Sequence, residues 1–222
     1  MNKTAKLLAA GVLAAGLVAP ALEHSGVPAQ AASAPLASVV LGKLSVKGRA
    51  PKTGYARDLF SDGWGNISGC DTRNFILKRD LTSITWRSGE NCIVATGKLV
   101  DPYTGKAINF VRGVKTSLAV QIDHVVAVSD AWQKGAQQIS SQARYSFYND
   151  PLNLLAVDGP TNSSKGDGDA ATWLPPNKSF RCAYVARQVA VKAKYKLWVT
   201  AAEKAAIQGI LAKCPKQPIP SV

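Results

Sequence analysis

The sequence predicts an α+β fold in a single domain. The chain has 222 residues, 46% of them hydrophobic, which is enough for one sizeable core. Short apolar runs bounded by turn residues fall in the middle of the chain, and two segments with helical spacing close it. There is no internal repeat and no break in composition, so nothing in the sequence demands a second domain.

Residues 1–31 are predicted to be a secretory signal peptide. A basic start at 2–6 precedes an uncharged apolar run at 7–22, and small residues around Ala31 and Ala34 fit a cleavage site. The alternative, an uncleaved membrane anchor, is disfavoured because the run is short and interrupted by glycine and proline. We therefore expect a secreted, extracellular protein that has no membrane contact after cleavage.

The charge balance is strongly basic, with 27 Lys and Arg against 14 Asp and Glu and a formal net charge of +13. The leader removes only one net positive charge, so the excess belongs to the mature chain. Such an excess favours anionic partners, namely nucleic acid, an acidic polymer or a membrane surface. Only two histidines are present, and His24 lies in the leader. A His-rich metal site is thereby excluded, and any imidazole chemistry must use His124.

The four cysteines predict disulfide bonds, because the protein is expected in an oxidising compartment and contains no C-x-x-C pair for zinc. Four cysteines allow three connectivities. We favour the pairing that is local in sequence, Cys70–Cys92 and Cys182–Cys214. A catalytic cysteine is the alternative, and no motif supports it.

The first half of the chain begins with an N-terminal arm at 32–54, which we expect to be partly helical. Asp71 is a candidate N-cap for a helix over 71–80. Strands are predicted at 93–100 and 107–111, on either side of a turn, and a third strand at 117–122.

In the second half, a helix is predicted over 129–139 with Ser129 as its N-cap. The apolar run at 153–157 suits a buried strand. Helices over 181–195 and 200–213 close the domain, and the second begins with a capping box at Thr200.

Asp123 and His124 form the first candidate for chemistry, because they follow a predicted strand and precede a helix. No Gly-x-Ser-x-Gly elbow offers a serine nucleophile, and no pair of carboxylates suggests a glycosidase. Asn153 and Asn162 bracket a strand and a turn, and amide oxygens suit Mg²⁺ or a similar hard cation. Each asparagine alone is typical of a turn or a cap. The combination Asp-His…Asn…Asn-x-x-Lys, ending at Lys165, is far more specific than its parts.

At these residues the sequence resembles the HNH endonucleases, which carry the ββα-metal motif. More narrowly, it is similar to a secreted bacterial HNH family related to the C-terminal domain of GmrSD restriction enzymes. The matching segments are the motif stretches 121–126, 149–154 and 162–167, the Asp-Pro-Tyr-Thr-Gly turn at 101–105, and Trp-Leu-Pro-Pro at 173–176. The resemblance implies an HNH domain over 55–214 with a C-terminal tail at 215–222. Asn162 stands where the last histidine of the motif would be, which argues against a zinc-type site.

The resemblance implies a hydrolase that cleaves the phosphodiester bonds of DNA, and of RNA as well, with little sequence specificity. His124 would be the general base, and one divalent metal, Mg²⁺ with Mn²⁺ as a substitute, would bind Asp123 and Asn162. Asn153 would orient the loop that bears His124. From the positive charge we add phosphate contacts by three basic residues, Arg144, Lys165 and Arg187. We expect a monomer.

One geometric expectation follows from strand geometry. Adjacent residues of a regular strand point to opposite faces, so Asp123 and His124 share one site only if the backbone is irregular. We expect that irregularity at 123–126, and Asn162 in the first turn of a helix packed on the hairpin.

Two other functions remain open at this point. One is a secreted cationic protein that binds nucleic acid or cell-wall polymer through a degenerate site, which the net charge would support. The other is a nuclease toxin, which would call for a delivery domain or a neutralising partner.

Overall fold

A computed structural model of the protein describes Met1 and residues 34–220, so the predicted signal peptide lies almost entirely outside the described part. The helices are α1 (Ala37–Lys43), α2 (Thr72–Asp80), α3 (Val128–Gln133), α4 (Ser141–Tyr148), α5 (Gly159–Lys165), α6 (Arg181–Lys194) and α7 (Ala201–Leu211). The strands are β1 (Asn66–Ile67), β2 (Cys70–Asp71), β3 (Thr82–Trp86), β4 (Val94–Val100), β5 (Ala107–Val111), β6 (Val120–His124) and β7 (Leu154–Asp158). The fold is therefore mixed α and β, as predicted.

The strands pair in antiparallel fashion throughout the described residues. They form a small β1–β2 pair, a three-stranded β3–β4–β5 sheet, and the pair β6–β7. In the last of these, Val120 lies opposite Asp158 and His124 lies opposite Leu154. Helix α5 begins directly after β7 and contacts both strands. These two strands and this helix carry Asp123, His124 and Asn162.

The β6–β7 pair is buried on both faces. Leu155 and Val157 pack into the cluster formed with α1, α6 and α7. Leu154 and Ala156 pack into a second cluster with α2 and the three-stranded sheet. Successive strand residues point to opposite faces, so a strand covered on both sides reads as a continuous apolar run. This explains why 153–157 has no alternation of polar and apolar residues.

Several predicted elements are confirmed. The Asp71 carboxylate accepts a hydrogen bond from the backbone N–H of Asn74 at 2.8 Å and caps α2. The strands around the turn at 101–105 are β4 and β5. The Thr200 hydroxyl accepts from the N–H of Glu203 and caps α7, although the Glu203 carboxylate binds buried lysines instead of completing a capping box.

Two boundaries were predicted wrongly. The strand expected at 117–122 begins only at Val120, because residues 116–119 form a 3₁₀ turn. The helix expected over 129–139 ends at Gln133, since Gly135 follows with a φ of 123°. Ser129 lies inside α3, and its hydroxyl donates to Asp167 at 3.1 Å instead of capping the helix.

Both predicted disulfides are present, Cys70–Cys92 and Cys182–Cys214, with Cα–Cα distances of 5.3 and 6.4 Å. The first ties β2 to the segment that enters β4. The second ties the first turn of α6 to the end of the chain beyond α7.

A buried ionic cluster joins the N-terminal segment to the rest of the domain. The Lys134 ammonium has no solvent exposure and lies 2.7 Å from Asp130, 2.6 Å from Asp169 and 2.7 Å from Glu203. Further cations on the same carboxylates come from α6 and from the segment after α1. The whole cluster consists of Arg49, Asp130, Lys134, Asp169, Lys192 and Glu203. Its charges balance, three positive and three negative.

Asp169 makes the stability of the fold sensitive to acid. Burial raises the pKa of its carboxyl, but the hydrogen bond and charge of Lys134 outweigh burial and bring the pKa to about 2. A carboxyl with a lowered folded-state pKa contributes stability above its unfolded pKa and loses it as the pH falls through the folded value. We expect the free energy of unfolding to drop by about 2 kcal/mol on this account between pH 4 and pH 2. Urea titrations of wild type and Asp169→Asn across that pH range measure this drop. The same dependence of the unfolding free energy on pH in both proteins would contradict the assignment to Asp169.

Candidate active site

Asp123 and His124 are the last two residues of β6, in regular register with Leu155 and Leu154. The irregular backbone expected at 123–126 is absent at these two residues, and the chain bends only at Val125 and Val126. The two side chains therefore have different surroundings, since adjacent strand residues alternate. Both nevertheless line the same cleft, because the strand ends at His124.

The His124 imidazole lies among aromatic rings. It is stacked on Trp64, with ring centres 5.7 Å apart and planes 8° apart, and the ring centre of Tyr148 lies 4.4 Å away. Its Nε2 is 2.8 Å from the backbone oxygen of Tyr148. A carbonyl oxygen only accepts, so Nε2 carries the hydrogen and Nδ1 carries the lone pair. Within the described residues Nδ1 has no hydrogen-bond partner, which leaves it free to accept a proton.

The His124 ring is neutral at pH 7. Burial, together with the positive charge of Arg57, lowers the pKa of His124 to about 3, although the hydrogen bond to Tyr148 acts in the opposite direction. A neutral imidazole is the form that a general base requires.

The Asp123 carboxylate is held by two side chains. The Tyr103 hydroxyl donates to Oδ2, and the Lys165 ammonium lies 2.8 and 2.9 Å from the two oxygens. Burial, followed by the charge of Asp123, raises the pKa of Tyr103 well above its usual value, so this hydroxyl stays protonated and donates. Tyr103 comes from the turn at 101–105, which places that turn beside the site.

Asn162 lies in the first turn of α5, as expected. The helix is capped by Asp158, whose carboxylate accepts from the N–H of Thr161 at 2.8 Å. Gly159 starts the helix so close to the 3₁₀ turn before β6 that a Cβ there would lie 2.0 Å from the backbone oxygen of Leu118. The Asn162 amide nitrogen donates to Gln121 at 2.9 Å, so its oxygen is directed away from Gln121.

Asn153 lies behind the strand and bonds the turn that follows His124. Its Oδ1 accepts from the N–H of Val126 at 2.8 Å, and its Nδ2 donates to the oxygen of the same residue at 3.3 Å. Its backbone oxygen accepts from the N–H of Val125 at 2.8 Å. The side chain is fully buried, so all of these bonds are shielded from water.

Replacing Asn153 with alanine should destabilise the fold by about 1–3 kcal/mol, because both polar groups of Val126 would lose buried partners. Asn177→Ala is a suitable control, since that amide also bonds a backbone oxygen but is partly exposed. Urea unfolding of both variants measures the difference. A loss at Asn153 no larger than at Asn177 would contradict this account of the turn.

Asp123, His124 and Asn162 meet in a cleft of about 220 Å³. Its lining is completed by residues of β6, α3 and α5, by residues directly next to these helices, and by the 3₁₀ turn at 57–59: Arg57, Ile122, Ala127, Val128, Ser163 and Gly166. Within residues 34–220, no three His, Cys, Asp or Glu side chains come together as a metal site. One carboxylate and one amide fit a hard cation that takes its remaining ligands from water and substrate oxygens.

The predicted phosphate contacts are placed differently. Lys165 is buried against Asp123. Arg144 donates to the backbone oxygens of Leu59 and Ile139, and Arg187 donates to Leu152. Neither arginine lines the cleft, and substrate binding by the three residues stays a prediction.

Sequence reasoning missed three residues around His124: Arg57, Trp64 and Tyr148. Arg57 lines the cleft, its Nε donates to the Tyr148 hydroxyl at 3.2 Å, and its guanidinium lies over that ring. No acidic side chain pairs with it in the described part of the chain. Trp64 and Tyr148 are contacts of His124 across long sequence separations, for which the sequence carries no local signal.

The fold and this cleft define a mixed α/β domain with an Asp-His pair at a strand end and an asparagine on the following helix. The model of the family described as GmrSD restriction endonucleases, C-terminal domain, matches residues 71–210. The chain belongs to this family of restriction endonuclease domains, and the predicted relation is confirmed.

The chain is also 37% identical over 190 residues to a protein of Arthroderma benhamiae named "Uncharacterized secreted protein". That match covers 84% of this chain and 89% of the relative. No solved structure matches the chain. Among the described residues, no helix is long and apolar enough to cross a membrane.

Proposed function

We propose that this protein is a secreted, metal-dependent endonuclease of the HNH type, with β6, β7 and α5 as its ββα-metal core. It hydrolyses phosphodiester bonds of DNA and RNA with little sequence specificity. The observation that carries the proposal is the neutral His124, with Nδ1 free, in one cleft with Asp123 and Asn162. Membership of the GmrSD family and the name of the secreted relative support it.

In the proposed reaction, His124 Nδ1 takes a proton from a water molecule as the water oxygen attacks phosphorus. The bond from phosphorus to the 3′ oxygen breaks, and that oxygen leaves with the electron pair and takes a proton from solvent water, while His124 returns its proton to solvent. Tyr148 holds the imidazole through Nε2, and Asn153 holds the turn behind it. Attack by water needs no 2′-hydroxyl, so DNA and RNA are both substrates.

Asp123 and Asn162 would hold one divalent cation, Mg²⁺ or Mn²⁺. When bound, such a cation supplies positive charge for the phosphate and for the departing oxygen. Arg57 lines the same cleft without an acidic partner in the described chain, and we assign it to the phosphate undergoing attack. Arg144 and Arg187 would then contact phosphates farther along the strand.

Removal of the metal should abolish cleavage. We expect purified protein to nick plasmid and to degrade RNA in Mg²⁺, to stop in EDTA, and to recover when Mg²⁺ or Mn²⁺ is restored. The DNA products should carry 5′-phosphate and 3′-hydroxyl ends, as the departure of the 3′ oxygen requires. Binding of DNA without cleavage in any metal would favour a cationic binding protein instead.

A further inference from the structure

Lys165 is one of the most completely enclosed charges in the described chain. Its side chain has no solvent exposure, although it lies at the end of a short helix whose neighbouring residues are exposed. The ammonium makes three contacts: both oxygens of Asp123 and, at 2.7 Å, the backbone oxygen of His124. All three N–H donors of the ammonium are therefore used by acceptors at the strand end that bears the Asp-His pair.

These contacts use most of the acceptor capacity of Asp123. A carboxylate offers about four lone-pair sites. Lys165 occupies one on each oxygen, and the Tyr103 hydroxyl occupies another on Oδ2. One site remains, on Oδ1, so Asp123 has room for a single further bond.

A divalent cation on that remaining site would share the carboxylate with an ammonium. Like charges on one carboxylate repel, and burial makes the repulsion stronger than in water. If the Lys165 ammonium moved away from Asp123, it would lose its contacts with all three acceptors. The cation would therefore bind weakly until further negative charge entered the cleft, and a substrate phosphate supplies that charge.

We propose that Lys165 is a positioning residue that couples metal binding to substrate binding. It holds Asp123 in place before the metal arrives and keeps the affinity for the free metal low. The phosphate of bound nucleic acid then offsets the repulsion, so metal and substrate bind cooperatively. This inference rests on the proposed function, because it takes Asp123 as a metal ligand.

The test is the affinity for Mn²⁺, measured by electron paramagnetic resonance with and without a nuclease-resistant phosphorothioate oligonucleotide. In Lys165→Gln, an uncharged donor still reaches toward Asp123. We expect this variant to bind free Mn²⁺ at least tenfold more tightly than wild type. We also expect the oligonucleotide to tighten Mn²⁺ binding at least tenfold in wild type and much less in the variant. Lys165→Met is the second variant, and its folding is checked by thermal unfolding with and without Mn²⁺.

Lys192→Gln is the matched control, because Lys192 is equally buried against carboxylates but contacts Asp130 and Glu203 instead of Asp123. Its Mn²⁺ affinity should equal that of wild type. Unchanged or weaker Mn²⁺ binding in a folded Lys165 variant would overturn the inference and leave Lys165 a purely structural residue. The proposed function fails, and the inference with it, if wild type shows no metal-dependent cleavage or if Asp123→Asn binds Mn²⁺ as wild type does; a failed Lys165 result alone leaves the proposed function standing.

Discussion

Replacing His124 with alanine should lower the rate of phosphodiester cleavage by about 10²- to 10⁴-fold, the contribution expected of a positioned general base. The imidazole is the one neutral base among the described residues that line the cleft, and its hydrogen bond to Tyr148 leaves Nδ1 as the proton acceptor. Because Trp64 stacks on the ring, the alanine variant also loses packing. The cleavage rate on plasmid, compared at equal folded fraction, measures the effect.

His124→Gln distinguishes the loss of the general base from the loss of packing around the ring. Glutamine keeps an N–H donor for the Tyr148 oxygen and much of the volume, but it has no basic nitrogen. We expect it to be as inactive as alanine while unfolding at a temperature closer to that of wild type. A glutamine variant within tenfold of the wild-type rate would show that His124 is not the base.

Replacing Lys134 with methionine should destabilise the fold by about 3–5 kcal/mol, the usual cost of removing one partner from a buried ion pair. Lys134 lies against three carboxylates, and the loss of its ammonium leaves more buried negative charge than positive. Cations that remain in the cluster, Arg49 and Lys192, cannot neutralise all three acids. Urea unfolding at pH 7 measures the difference.

Lys213→Met is the control for this change, because Lys213 is exposed and forms no ion pair in the described chain. Its effect should stay within about 0.5 kcal/mol. A Lys134 variant that loses less than about 1 kcal/mol would mean that the cluster reorganises at little cost.

Local patterns in the sequence predicted the parts of the fold that local physics determines. Asp71 and Thr200 cap their helices because a side-chain oxygen three residues ahead of a free N–H is a local arrangement. The apolar run at 153–157 is a buried strand, and both disulfides close between cysteines nearby in the chain. Helix α4 was not predicted, although its Ser140 cap is visible in retrospect.

The rest depends on contacts across long separations in sequence. Lys165 is the last residue of the sequence motif, but its contact with Asp123, 42 residues away, comes from the packing of α5 on β6. Arg57 bonds Tyr148 across 91 residues, and Arg49 bonds Asp169 across 120. No periodicity or spacing encodes such pairs. The sequence therefore indicated which residues carry the chemistry, while the residues that hold them in place emerged only from the three-dimensional structure.

The same dependence explains the wrong expectation for the backbone at Asp123 and His124, the first half of the range 123–126. Strand alternation suggested that Asp123 and His124 needed an irregular backbone to share a site. The structure places both in a regular strand that stops at His124, and residues of α5 and Arg57 line the cleft around its end.

The most direct test of the central claim is one cleavage assay on supercoiled plasmid, run with wild type and His124→Ala, each in Mg²⁺ and in EDTA. We predict cleavage by wild type in Mg²⁺ and none above background in the other three reactions. Cleavage that survives both chelation and the loss of His124 would contradict the proposed metal-dependent mechanism.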